Sequence, residues 1–265
     1  RGKSRSRKKE NILKEIEKLV EDGFKEVILI GIDLSAYGED FEEKDSFESL
    51  LEDILKIKDL KRVRIGSVYP DKISDKFIDL FKNILKSDGI RIVDPAMADN
   101  GKLYTGFDTS FVNEMRNLIG FSDIILPNMT EAGLLTDSEI ILENQTDEYI
   151  KDIIYKLKAL GAKNIVLKGV KNVEGKLGIA IYEANTDSID IFYTDRIKKD
   201  AHGTGDCYAA AFTGCLMQRK SLGEAVKVAA EFVSEAILKT MDDESHWYGV
   251  KFEKALPVLI RELNK

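Results

Sequence analysis

Ala201-His202-Gly203-Thr204-Gly205-Asp206 sets two glycines, a hydroxyl and a carboxylate at what reads as the start of a helix rich in small residues (Ala209, Ala210, Ala211, Gly214). Two glycines let the backbone turn tightly, so that successive N–H groups can point at one oxyanion. The helix N-terminus adds its partial positive charge there. Asp206, at the start of that helix, would sit beside the anion and could take a proton from a substrate hydroxyl as a γ-phosphoryl group moves. The same residues also suit a plain turn with a capping Asp, so the reading rests on their company.

That company is ordered along the chain. DPAMADNGKLY begins where a strand ends, the place where open α/β sheets hold their sites. In it, Asp94 and Asp99 can serve magnesium or a phosphate-bound water, and Asn100-Gly101 makes a turn. LPNMTEAGLL also follows a strand, with Asn128 and Glu131 in the first turn of the next helix; hard oxygen ligands of this kind suit Mg²⁺, often through water. Asn128 and Thr130 equally suit helix caps, with Glu131 as a capping-box partner. LKGV, after a further strand, offers Lys168 and Gly169 to a nucleotide phosphate or base, a surface lysine being the alternative.

The elements that must carry these residues alternate. Helices are expected over 10–21, 46–57, 75–85, 108–120, 147–160, 205–218, 222–241 and 252–264, and strands over 27–32, 62–68, 90–93, 123–126 and NIVLKGV, with a β-rich stretch over 177–193. VILIGI is a continuous apolar run, expected as a strand buried on both faces. The alternation implies an α/β fold, a doubly wound, mostly parallel sheet with helices on both faces. The 265 residues suit one large or two small domains. With 43% hydrophobic and 33% charged residues the composition argues against disorder. No apolar run is long enough to span a bilayer. The chain starts at Arg1 without an initiator Met, and no apolar stretch behind its basic start resembles a secretory signal.

Cys207 and Cys215 stand about 12 Å apart along one expected helix, too far for a disulfide, and read as core residues of a reduced, cytoplasmic protein. With only His202 and His246 besides, a zinc site lacks ligands. The formal charge of −7 argues against a nucleic-acid partner, and the basic start, Arg1 to Lys9, reads as a solvated tail.

Taken together, DPAMADNGKLYTGF, LPNMTEAGLLT, VLKGV, HGTGD and the tail HWYGVKFE resemble a bacterial pyridoxamine/pyridoxal kinase of the ribokinase-like superfamily, from about Ser87 to the C-terminus. The resemblance implies ATP-dependent phosphorylation of the 5′-hydroxymethyl group of a B6 vitamer. It implies Asp206 as general base and Gly203, Thr204 and Gly205 as the anion hole. Asn128 and Glu131 would act at the Mg-phosphate site, Asp94 near the metal, Lys168 and Gly169 near the nucleotide. Ala96 and Ala98 depart from the family's usual Val and Gly, and Ala98 is expected to restrict the loop; Lys168 stands where a hydroxyl residue is common. A hydroxymethylpyrimidine kinase is the nearest alternative within the superfamily. Such kinases are commonly homodimers.

The start of the chain does not fit that family. RGKSRSRKKENILKEIEKLVEDGFKEVILIGIDLSAYGED, continuing through LKRVRIGSVYPDKISDKFIDL, resembles radical-SAM tRNA methylthiotransferases. In that family an iron–sulfur cluster is held by three cysteines of a CxxxCxxC motif, and no cysteine precedes Cys207 here, so no cluster is expected. The chain thus reads as a chimera: residues 1–86 methylthiotransferase-like βα units added to the sheet, residues 87–265 ribokinase-like, the vitamer-gripping start having been exchanged.

Overall fold

The structure, a computed structural model, describes residues 5–31, 33–66, 74–83, 89–197, 202–241 and 249–264. It divides into two compact units, Arg1–Gly89 and Ile90–Lys265.

In the first unit, α1 (Lys9–Glu21), β1 (Glu26–Leu29), α2 (Phe47–Leu55), β2 (Arg62–Ile65) and α3 (Asp75–Asn83) follow the expected order. Ser46 caps α2 by accepting from the Ser49 N–H. β1 and β2 pair in parallel, Val27 opposite Val63, and Ile16, Val27, Leu50, Ile54 and Leu60 form the core beneath them. The expectation for VILIGI is corrected here. The strand ends at Leu29, and Ile28 and Ile30 are 54% and 81% exposed, because helices cover only the Val27 side of this two-stranded sheet. Residues 67 and 68 of the expected second strand lie outside the described residues.

The second unit holds β3 (Ile92–Val93), a hairpin of β4 (Ala98–Asp99) and β5 (Lys102–Leu103), α4 (Thr109–Ile119), β6 (Ile124–Ile125), α5 (Met129–Leu135) and α6 (Asp147–Ala159). Then come β7 (Asn164–Val170), β8 (Lys176–Glu183), β9 (Ser188–Asp195), α7 (Thr204–Met217), α8 (Leu222–Leu238) and α9 (Phe252–Leu263). Its five-stranded sheet has the order β3-β6-β7-β8-β9, which corrects the expectation that the units of residues 1–86 add strands to it: among the described residues β1 and β2 pair only with each other. The first three strands are parallel, and the β8–β9 hairpin closes the sheet antiparallel. Val166 packs into the cluster that Tyr208, Phe212 and Cys215 of α7 share with Val226, Ala229 and Phe232 of α8. Its neighbours Ile165 and Leu167 are equally buried and, by strand alternation, point to the other side, where α6 packs on β7. No helix among the described residues is long and apolar enough to cross a membrane.

Parallel strands begin at one edge of the sheet and end at the other, and the starting edge is tied together by Asp123. Its carboxylate accepts from the Arg91 N–H (3.0 Å), Arg91 Nε (3.1 Å) and Lys163 Nζ (2.7 Å), joining the starts of β3, β6 and β7. Burial alone would raise this carboxyl, but the hydrogen bonds from Arg91 and Lys163 outweigh it and hold it at about 2. A depressed value stabilises the fold above 3.8, and the gain is lost as pH falls toward about 2. Asp123→Asn is therefore expected to cost about 1–3 kcal/mol near neutral pH. Urea unfolding of both proteins across acid pH checks it: the gap should close as the wild-type carboxylate is protonated.

Candidate active site

The residues singled out by type and spacing gather in the second unit around the ends of β3, β6 and β7. Asp94 directly follows β3; Asn128 and Glu131 open α5 just after β6; Lys168 and Gly169 stand near the end of β7. The Lys168 N–H donates to the Pro127 carbonyl (2.8 Å), and an isolated parallel bridge pairs Asn128 with Lys168. The β7–β8 register shifts between Lys168 and Val170, with Gly169 at φ 83°, a left-handed conformation that favours glycine.

α5 begins with a full capping box. The Glu131 N–H donates to Asn128 Oδ1 (2.9 Å) and the Asn128 N–H returns to Glu131 Oε2 (2.8 Å). The other Glu131 oxygen accepts from the Met97 N–H (3.0 Å), and Asn128 Nδ2 donates to the Ala98 carbonyl (2.7 Å). Thr130 does not cap the helix; its hydroxyl accepts from the Gly101 N–H (3.0 Å). Three side chains of one helical turn thus hold the 94–101 segment. That segment folds as a hairpin turned by Asn100 and Gly101, at φ 50° and 79°, the left-handed pair such a turn requires. The expected restriction at Ala98 is corrected by the same geometry. Ala98 is an ordinary buried strand residue, and the left-handed position falls on Ala96, at φ 39°. Asp99 stays exposed and accepts from the Asn100 N–H (2.8 Å).

Charge is concentrated here. The Lys168 ammonium is 3.1 Å from Asp94 Oδ1, both side chains being about four-fifths buried, and 5.9 Å from the centre of the Tyr208 ring. Burial raises the Asp94 carboxyl, Lys168 opposes the rise and Asp206 adds to it. Glu131 is pushed up to about 7, chiefly by burial and further by Asp94, against the pull of Lys168 and the backbone N–H groups of Asn128 and Met97. The Tyr208 hydroxyl is buried without a hydrogen-bond partner, and burial, with Cys215 and Asp94 nearby, pushes it far upward. Tyr104 was not singled out in the sequence, yet its phenol is raised by burial and then by Asp99, Glu131, Asp94 and Asp206, so the four carboxylates converge near one ring. Its signal is local: the Tyr104 N–H donates to the Met97 carbonyl (2.9 Å), which returns the chain past the hairpin to the site.

The HGTGD motif opens α7. Gly203 is the N-cap at φ 77° and supplies no side-chain cap. Where Cβ atoms would stand on Gly203 and Gly205, nothing lies within 4 Å, leaving the backbone open to a ligand. Asp206 is the third residue of α7 and is exposed. A cavity of about 450 Å³, lined by His202, Gly203, Asp206, Cys207, Val250 and Phe252 among others, adjoins it, a size that suits a small molecule. The described part of the tail motif thus lines a wall of this cavity, a role its residue types did not announce; His246 and Trp247 lie outside the described residues.

A family model described as phosphomethylpyrimidine kinase matches residues 37–250, and the chain belongs to that family. A Bacteroides thetaiotaomicron protein assigned as a phosphomethylpyrimidine kinase is 31% identical, with a TM-score of 0.69 over 75% of this chain and 68% of that one. An orthorhombic crystal form of such a protein from the same organism contains pyridoxal. The pyridoxal kinase of Staphylococcus aureus in complex with AMP-PCP, 24% identical, shares the fold with a TM-score of 0.58 over 73% of this chain and 68% of that one. The ribosomal protein uS12 methylthiotransferase RimO of Clostridium botulinum is 48% identical over 83 residues, which are 31% of this chain and only 19% of that protein. A stretch of 83 residues cannot lie wholly outside 37–250, so the two likenesses overlap along the chain.

Because the Glu131 carboxyl is raised from 4.5 to about 7, its contribution to stability is complete below 4.5 and is lost as pH rises through about 7. Glu131→Gln is expected to flatten that slope. It also costs about 1–3 kcal/mol, since an amide cannot accept from both the Met97 and Asn128 N–H groups through two oxygens. Urea midpoints of the two proteins between about pH 5 and pH 8 measure both effects.

Proposed function

We propose that the chain is an ATP-dependent kinase that phosphorylates the 5′-hydroxymethyl group of pyridoxal, pyridoxamine or pyridoxine. One observation carries this reading: an exposed carboxylate, Asp206, stands in the first turn of a glycine-opened helix beside a cavity of small-molecule size. In the reaction, the substrate oxygen bonds to the γ-phosphorus while the bond from that phosphorus to the ADP oxygen breaks. Asp206 takes the hydroxyl proton, and the Gly203, Thr204 and Gly205 backbone stabilises charge on the phosphoryl oxygens. In this reading Lys168, Gly169, Asp99 and Asn128 are the residues that serve the nucleotide. The AMP-PCP complex of the S. aureus kinase and the pyridoxal in the Bacteroides crystal form support the two substrates.

Magnesium enters this reading as part of the Mg-ATP substrate. Asp94 and Glu131 have the hard oxygens that magnesium prefers. As arranged they do not fit a protein-held ion: Lys168 is on Asp94, both Glu131 oxygens accept from backbone N–H groups, and the described residues include no group of three or more metal-capable side chains.

The description of the matched family favours a second substrate, a hydroxymethylpyrimidine. Incubating the pure protein with Mg-ATP and each alcohol separates the two, with phosphorylated product read by chromatography. Pyridoxal is expected to be the better substrate, and Asp206→Asn to lower kcat by about 10²- to 10⁴-fold. Turnover of the pyrimidine alone would move the assignment to that alcohol. Equal product from wild type and variant would remove Asp206 as the base. Thermal stabilisation by ATP with no turnover of either alcohol would mark a silent nucleotide-binding protein.

A further inference from the structure

We propose that the Lys168 ammonium is a tethered cation that holds the Asp94 carboxylate in place of a divalent ion, so that the nucleotide-free site does not load metal and the divalent ion arrives only with the nucleotide. The consequence for turnover rests on the kinase reading above; the cation chemistry does not.

Lys168 is placed rather than merely near. Its backbone is fixed on one side by the Pro127 carbonyl and the bridge to Asn128, and on the other by β8 pairing opposite Ile179. The bulge at Gly169 follows directly, breaking the strand's regular alternation just where the lysine stands. The ammonium then has an anion 3.1 Å away at Asp94 and an aromatic face 5.9 Å away at Tyr208, and its field reaches Glu131. A carboxylate and a ring face are the surroundings that retain a desolvated ammonium. The side chain is only 17% exposed, so solvent screens it weakly.

A divalent ion bound to Asp94 would need oxygen contacts at roughly 2.0–2.6 Å, within a few ångströms of that ammonium. Two positive charges on one partly buried carboxylate oppose each other, and the second candidate ligand, Glu131, already accepts from the Met97 and Asn128 N–H groups. A nucleotide brings its own phosphate ligands and negative charge, and changes that balance. An ordinary internal ion pair would have the same distance but would hold off no metal, which makes the two readings separable.

Mn²⁺ is the probe, titrated into nucleotide-free protein and followed by electron paramagnetic resonance and calorimetry. Wild type and Lys168→Arg are expected to bind it no more tightly than about millimolar, as isolated surface carboxylates do. Lys168→Met should bind roughly tenfold to a hundredfold more tightly, and Lys168→Met combined with Asp94→Asn should lose the gain. Tight binding by wild type, or no gain in Lys168→Met, would overturn the proposal. Should Lys168→Met lose its fold, Lys168→Gln takes its place, and its melting temperature in the presence of Mn²⁺ gives the answer. A rise absent from wild type supports the proposal, and an unchanged value overturns it. Failure of both alcohols to turn over would leave these binding results intact, so the two readings fail separately.

Discussion

The first turn of α5 is the constraint on which the site's geometry depends. A buried carboxylate at Glu131 closes the helix's own N-terminus and reaches across to the Met97 N–H, while Asn128 holds Ala98 and Thr130 holds Gly101. Without these contacts the segment after β3 would have few ties to the sheet, and Asp94 would not be held against Lys168. Burying that carboxylate carries an electrostatic cost, visible in its raised protonation point. The cost is tolerated because two N–H donors would otherwise be left without partners in the interior. The residue read as a metal ligand is therefore also the keystone of a hairpin.

Much of this was legible in the sequence, for physical reasons that differ from element to element. NIVLKGV and VILIGI both read as strands, and VILIGI, a continuous apolar run, as one buried on two faces. In the structure it is NIVLKGV that is covered on both faces, by α6 on one and by α7 and α8 on the other. VILIGI is covered only on the Val27 side, leaving Ile28 and Ile30 exposed. A run of apolar residues records what a strand could bury, and only the tertiary arrangement decides which faces find a partner. Motif order put Asp94, Asn128 and Glu131 directly after strands, and they do follow β3 and β6, since parallel strands all end at one edge. What motif order did not contain was pairing. That Lys168 would meet Asp94, or that Thr130 would reach a hairpin rather than cap its helix, depends on side-chain directions fixed by packing. Tyr104 and Phe252 stand inside the quoted motifs without a role of their own, because an aromatic residue has no spacing rule that marks it as lining a site.

The two likenesses of the chain also meet at the level of architecture. Helix–strand units of the kind in the first unit, with β1 and β2 in parallel register, are a common local solution to burying one face of a helix. A segment of this sort can resemble two enzyme families at once where both use the same unit, as the overlap of the two matched regions requires.

Helix ends differ in how they are finished. α5 and α8 each begin with a reciprocal capping box, from Asn128 and Ser221 respectively. α7 begins on Gly203, which has no side chain to offer, in a conformation that serine or aspartate would adopt only under strain. Its hold on the fold comes from further along, where Tyr208, Ala211, Phe212 and Cys215 sink into the shared core. A protein engineer seeking thermostability would pick that glycine start as the obvious place to improve. On the kinase reading proposed above, replacing it would trade reactivity for robustness, because this is the helix start that carries Asp206.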